Sequence, residues 1–262
     1  MSKLLVMGAG IEFGWLVARF IPRARRYSTK FTETVVVCEK GMEYLFSDFS
    51  SKFEYVKMPG RSERWLYEAK EPKVPSKIKS RHKDAYCFIP NRKTCMAGNR
   101  DFLLYKPEIE KGAYWDIIIH ARGESKYHSG NRNWPGKHWD DFVKNFPHLN
   151  IACIGSLTGS RHIPGTTDMR GIESRGLCNL IANAKVVVGP SSGPMHLASF
   201  CGTSHVVWTD SKTQKVIKGT NRKRYEKLWN PFGTPVAVID KYGWRPPVKV
   251  VVETVKKILE EK

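Results

Sequence analysis

Three short stretches of this 262-residue chain carry residue types spaced for chemistry. The first is Gly8-Ala9-Gly10-Ile11-Glu12-Phe13-Gly14, a glycine turn between an apolar run and a helical one. It is close to a dinucleotide-binding fingerprint, with the last glycine one residue late, and Glu39 ends the next apolar run where a ribose-binding acid would stand. An NAD-dependent oxidoreductase is therefore one reading. Against it, Glu12 stands inside the turn, where its charge repels a pyrophosphate approaching the helix start. A carboxylate there suits a general base facing a cleft, or simply an exposed acid on a tight turn.

The second stretch runs Lys185-Val-Val-Val-Gly189-Pro190-Ser191-Ser192-Gly193-Pro194-Met195-His196-Leu-Ala198. A buried strand is expected to end at Gly189 and a helix to begin near Pro194. The small residues between them leave backbone N–H groups uncovered at the positive end of a helix dipole, which is a phosphate-binding device. His196, in the first turn, either touches that phosphate or packs as a core histidine. The third stretch, Arg132-Asn133-Trp134-Pro135, precedes another helix and can bring a cation to the same place. Further on, Tyr225 and the run Trp229-Asn-Pro-Phe-Gly233 either flank a nucleotide base or fill the core.

The elements that must position these residues follow from hydrophobic periodicity. Strands are expected at Leu4–Met7, Thr34–Cys38, Phe53–Met58, Asp116–His120, Asn150–Ile154, Lys185–Val188, His205–Trp208 and Val236–Ile239. Helical stripes alternate with them: Trp139, Phe142, Val143 and Phe146 behind Pro135; Leu177, Leu180, Ile181 and Ala184; and Val248, Val251, Val255, Ile258 and Leu259 behind Pro247. Alternation of this kind predicts parallel α/β architecture. The proline-rich basic stretch before Tyr114 marks a boundary, so two small α/β halves are expected, 1–112 and 113–262, with a cleft between them. No apolar run reaches the 18 or more residues of a membrane span. The start reads as a first strand and helix, not a leader. Six scattered cysteines without a C-x-x-C are expected to be buried free thiols in a cytoplasmic protein, or one of the host cytoplasm if the chain is viral. No H-E-x-x-H or zinc spacing occurs, so no metal is expected.

The charge is lopsided: 44 Lys+Arg against 25 Asp+Glu, a formal +19. Residues up to Gly112 carry +9 and those beyond carry +10, so the excess is not a detachable tail. Its densest part, Lys70 to Arg100, has nine basic residues against Glu71 and Asp84 and is broken by Pro72, Pro75 and Pro90. A solvated surface explains such charge, as does a face for a polyanion.

The run from Asp168-Met-Arg-Gly171 through Leu177-Cys-Asn-Leu-Ile-Ala182 to Gly193-Pro-Met-His-Leu-Ala198 resembles the donor-binding region of the heptosyltransferases, family nine of the glycosyltransferases. That family's motif reads D-T-G-P-M-H-L-A, and this chain has Ser191-Ser192 in place of Asp-Thr. Its K-x-W-P segment is matched by Arg132-x-Trp134-Pro135, and its G-x-x-G-D turn by Gly8 to Leu16 with Glu12 in place of the catalytic Asp. About 85 residues of the second half match well and the first 40 loosely. The resemblance implies a GT-B fold, two Rossmann-like parallel-sheet halves facing a central cleft. It also implies a nucleotide-sugar donor held mainly by the C-terminal half.

On that basis the expected reaction is a metal-independent inverting glycosyl transfer, and no Asp-x-Asp is present to hold a diphosphate through a cation. Glu12 would take the proton of the acceptor hydroxyl, and Arg132 with the Ser192 and Gly193 N–H groups would stabilise the departing diphosphate. Ser191, Ser192, Gly193, Pro194, Met195, His196, Tyr225 and Trp229 are the donor-binding candidates. Lys77, Lys79, Arg81 and Lys83 are the acceptor-binding ones. No cofactor is expected beyond the donor itself. The acceptor reads as polyanionic: a hydroxymethylated base in DNA, as in phage-type GT-B enzymes, is favoured by the spread of charge, with a phosphorylated glycan or lipooligosaccharide as the alternative.

Overall fold

The computed structural model describes residues 2–57, 71–95, 112–123, 132–213 and 219–261. The chain divides into two compact units, Met1–Pro107 and Glu108–Lys262, a few residues from the boundary expected after Gly112. Of the expected features, Met58 at the end of the third strand, and Lys70 and residues 96–100 of the basic stretch, lie outside the described residues.

The first unit holds a parallel sheet of four strands in the order β3-β2-β1-β4. These are β1 (Lys3–Met7), β2 (Glu33–Cys38), β3 (Lys52–Tyr55) and β4 (Tyr86–Phe88). Apolar runs such as Leu4-Leu5-Val6-Met7 suit a sheet covered on both faces, where alternation is lost. On one face Leu5, Met7, Val35 and Val37 pack with Ile78 of a short helix after Pro75. Behind β1 the chain runs helically through α1 (Phe13–Trp15), a π-turn (Leu16–Phe20) and α2 (Ile21–Ser28). Pro22 has no N–H to give to the preceding turn, and the widened turn just before it takes up that gap. The remaining helices of this unit are α3 (Ser76–Arg81) and α4 (Arg92–Cys95). Strand β4 was not expected: three residues between Asp84 and Pro90 are too short to show a period.

The second unit holds a parallel sheet of six strands in the order β10-β9-β8-β5-β6-β7. They are β5 (Trp115–Ile119), β6 (Ile151–Cys153), β7 (Thr167–Asp168), β8 (Ala184–Pro190), β9 (His205–Trp208) and β10 (Val236–Ile239). Around it lie α5 (Gly136–Lys144), α6 (Ser174–Ala182), α7 (Gly193–Cys201), α8 (Asn221–Arg224) and α9 (Val248–Glu260). Ala184, read from its spacing as the end of a helical stripe, instead opens β8. Trp134, Trp139 and Trp208 meet with ring centroids 4.9 to 5.6 Å apart and pack with Ile119, Val188 and Val251. The Trp134 indole donates to the Pro246 carbonyl at 2.9 Å, so the buried N–H is satisfied. From β5 the sheet grows through β6 and β7 on one side and through β8, β9 and β10 on the other. The switch point therefore lies between β5 and β8, where open α/β sheets bind ligands beyond their carboxyl ends.

Among the described residues no helix is long and apolar enough to cross a membrane. All six cysteines are free thiols; Cys38, Cys95, Cys153 and Cys178 are buried, and Cys87 and Cys201 are partly so.

Candidate functional site

At the switch point β8 passes into α7 through Ser191 and Ser192. The Ser191 N–H donates to the Trp208 carbonyl at 2.9 Å, carrying the ladder to β9 past the end of the strand. Ser192 is then extended (φ −162°, ψ 171°) and forms the N-cap of the nine-residue α7. The helix's first bond runs from the His196 N–H to the Ser192 carbonyl at 3.1 Å. The amides of Gly193 and Met195 come before that ladder begins, and Pro194 between them has no N–H. An N-cap serine ordinarily turns its hydroxyl onto such amides, but Ser192 makes no side-chain cap bond. Its Oγ lies instead 2.8 Å from His120 Nδ1, reaching across the switch point to the residue after β5.

The packing that permits this contact is tight. A Cβ at Gly189 would stand 3.1 Å from the Met195 sulfur and 3.2 Å from the His120 carbonyl oxygen. Gly155, at φ +125°, would place a Cβ 2.6 Å from the Ser160 hydroxyl and 3.0 Å from the His120 ring. Gly155 needs glycine, and at Gly189 a side chain would fit only if Met195 or His120 gave way. His120 is itself buried, and burial, helped by the charge of Arg122, lowers its pKa to about 4, so the ring is neutral near pH 7. Sequence reasoning did not single out His120. Its only signal was a histidine closing an apolar strand, and that strand's place beside β8 is visible only once the sheet order is known.

Of the expected donor-binding residues, Ser191, Ser192, Gly193 and Pro194 gather here, half-buried. Met195, His196, Tyr225 and Trp229 are buried in the core. His196 lies flat on Trp229, centroids 4.2 Å apart and planes within 5°. The Tyr225 hydroxyl donates to the Met195 carbonyl at 3.0 Å. For His196, Tyr225 and Trp229 this burial matches the core alternative, with the apolar face of α7 seated on the π-turn (Tyr225–Trp229) that follows α8. They bed the helix whose start carries the site. Arg132 is half-buried with its guanidinium 4.7 Å from the Trp244 ring centroid, and the Trp244 indole donates to Asp210, beyond β9, at 3.0 Å. This places the cation on the same sheet edge as Ser192.

In the first unit Glu12 is the N-cap of α1, its carboxylate accepting from the amides of Gly14 at 3.0 Å and Trp15 at 3.2 Å. The glycines of the turn have structural causes: a Cβ on Gly8 would meet the Phe46 ring at 2.5 Å, and Gly10 has φ 78°. The amides that a dinucleotide's pyrophosphate needs are thus taken by the chain's own carboxylate, which leaves the oxidoreductase reading without its binding device. Lys77, Lys79, Arg81 and Lys83 are all exposed. Between them Ile78 is buried, and Arg81 is tied to Glu54 at 2.5 and 3.2 Å.

No family model matches the chain and no curated protein matches it. Solved structures do. The E. coli ADP-heptose lipopolysaccharide heptosyltransferase II aligns over 100% of this chain and 99% of its own, with TM-score 0.60 and 12% identity. A glycosyltransferase of family 9 from Veillonella parvula aligns over 100% and 98%, with TM-score 0.63 and 10% identity. E. coli heptosyltransferase WaaC, solved with ADP, aligns over 98% and 99%, with TM-score 0.56 and 10% identity. This chain has the GT-B fold of the heptosyltransferases. The alignment covers the whole length of the chain, beyond the parts that carried the resemblance in sequence.

Proposed function

We propose that this protein is a glycosyltransferase that takes a sugar from a nucleoside-diphosphate sugar and passes it, with inversion, to a hydroxyl of a polyanionic acceptor. The observation that carries this reading is the uncapped start of α7 at the switch point of a heptosyltransferase-like sheet. In the departing step the diphosphate gains charge, and preorganised N–H donors with the helix dipole act where that charge develops. Losing one such donor typically raises a barrier by about 3–4 kcal/mol. Arg132, held on Trp244, is the cation assigned to the same charge. Glu12, whose carboxylate caps α1 by accepting from the amides of Gly14 and Trp15, is assigned to the acceptor's proton as general base. With helix amides and a guanidinium in these roles, the reaction we assign uses no metal.

For the acceptor, the neighbouring enzyme's name, a lipopolysaccharide heptosyltransferase, favours a phosphorylated glycan. The +19 charge and the exposed Lys77, Lys79 and Lys83 are what speak for a hydroxymethylated base in DNA. The test is incubation with a panel of nucleotide-sugars and either hydroxymethylated DNA or a truncated lipooligosaccharide, read by mass spectrometry. A sugar-sized mass gain on one of the two assigns the acceptor, and no gain on either overturns the reading.

A further inference from the structure

The contact between β5 and the α7 loop is placed to govern how the loop meets a ligand. Serine at an N-cap competes for its own helix: the hydroxyl folds back and accepts from the first-turn amides. If Ser192 did so, the Met195 N–H would be spent inside the protein and an anion would have to displace it. The 2.8 Å contact with His120 Nδ1 prevents this, because the hydroxyl is held across the sheet and not along the helix. Everything about His120 fits a fixed anchor. Its backbone N–H donates to the Val188 carbonyl at 2.9 Å, tying it to the strand that carries the loop. Its ring is buried against Gly155, where any side chain would collide with Ser160 and crowd the ring, and its Cβ and carbonyl oxygen lie close over Gly189.

We propose that His120 is a positioning residue which, by holding the Ser192 hydroxyl, keeps the protein's own side chain off the first turn of α7 and leaves the start of that helix to the diphosphate of the donor. This deepens the donor reading above and rests on it. The ring is neutral near pH 7, its pKa lowered to about 4, so it holds the serine without adding charge to the site. Only the Nδ1 position is needed. An asparagine amide places a polar atom at that same distance from the backbone, whereas phenylalanine fills the ring's space and offers none.

The experiment is calorimetric binding of ADP, UDP and GDP, each against its own nucleoside, to the full chain and to His120→Asn, His120→Phe, Ser192→Ala and the double variant His120→Phe/Ser192→Ala. For whichever diphosphate binds the wild type, His120→Phe should weaken it about tenfold, the effect of one hydrogen bond to a charged group. Nucleoside affinity should be unchanged, and His120→Asn should restore most of the loss. A role in packing alone would rank phenylalanine at or above asparagine. Because the released serine is what blocks the amides, adding Ser192→Ala to His120→Phe should cost nothing more and should recover part of the loss. Equal affinities in His120→Phe and wild type, or strictly additive losses, would overturn the proposal while leaving the donor reading intact. A wild type that binds none of the three diphosphates overturns both. Thermal melting of each variant identifies any loss caused by unfolding, and the half-buried Ser192→Ala, which carries the coupling, is the least disruptive of the set.

Discussion

Acid should unfold the Glu108–Lys262 unit before it disturbs Met1–Pro107, because three histidines are sealed in the former's core. Burial lowers the pKa of His120 and of His205 to about 4, with the charge of Arg122 adding to the effect at His120. Burial, with Arg224 and His205 nearby, pushes His196 well below the usual histidine range. A native pKa below the unfolded one means that the unfolded chain takes up protons first as pH falls. Stability is therefore full above about pH 6.5 and is lost between there and about pH 4. A fall from 6.5 to about 4 corresponds to roughly 3 kcal/mol for each histidine. Two of them approach the whole stability of an ordinary domain, about 5–15 kcal/mol. The upper part of the window, above about pH 5, lies clear of the range where carboxylates titrate, and the histidine effect is read there. His82, the histidine of the first unit, differs in having a carboxylate partner, its Nε2 lying 2.9 Å from Glu54. Urea unfolding at several pH values, with hydrogen exchange read peptide by peptide, measures the loss in each unit. His196→Phe sharpens the test: neither ring nitrogen of His196 has a hydrogen-bond partner, and phenylalanine keeps the flat stack on Trp229. The variant should match wild type to within about 1 kcal/mol at pH 7.5. Its slope should fall by about 1.4 kcal/mol per pH unit in the acid window, the effect of one proton. An unchanged slope, or earlier opening of the first unit, would refute the reasoning.

Three further outcomes are expected. Glu12→Gln should lower transfer by at least about 100-fold while donor affinity stays within about twofold, since a general base acts on the acceptor and an amide oxygen still caps α1; near wild-type turnover would remove Glu12 from that role. Treatment with EDTA should leave activity unchanged, and a loss restored by magnesium or manganese would contradict transfer driven by amides and arginine. Replacing Lys77, Lys79, Arg81 and Lys83 with alanine should raise the acceptor KM and flatten its salt dependence by up to about 0.9 for each duplex phosphate no longer neutralised. Donor KM should stay fixed, and Ile78, left in place, keeps α3 on the sheet; an acceptor KM insensitive to both salt and substitution would point to a glycan held by local hydrogen bonds.

Much of this architecture was legible in the sequence because the central strands are long, apolar and buried on both faces: β1, β2, β8 and β9 read as strands before any coordinates. Strands β4 and β7 escaped, with three and two residues, the latter exposed and polar. The same limit governs the site. Glycine and serine between a strand and a helix announced the α7 loop, since that signal is local. The burial of His196, Tyr225 and Trp229 is a tertiary fact, created by the π-turn after α8 folding under α7, and histidine and aromatics at helical spacing look alike whether they face core or ligand. The glycines near Glu12 mislead for a related reason. A tight strand-to-helix turn uses glycine to admit Phe46 and a positive φ, and the sequence pattern is nearly that of a nucleotide loop.

The central claim, a nucleoside-diphosphate sugar seated on the start of α7, is tested most directly by protection of that segment. Hydrogen exchange of the full chain, with and without each member of a nucleotide-sugar panel, reads the amides of Gly193 and Met195 on the peptide that spans Ser191 to Ala198. One member of the panel should slow exchange in that peptide, its free diphosphate should do the same, and its nucleoside should not. Protection confined to the Gly8–Gly14 turn, or none at the start of α7 at saturating ligand, would contradict the assignment.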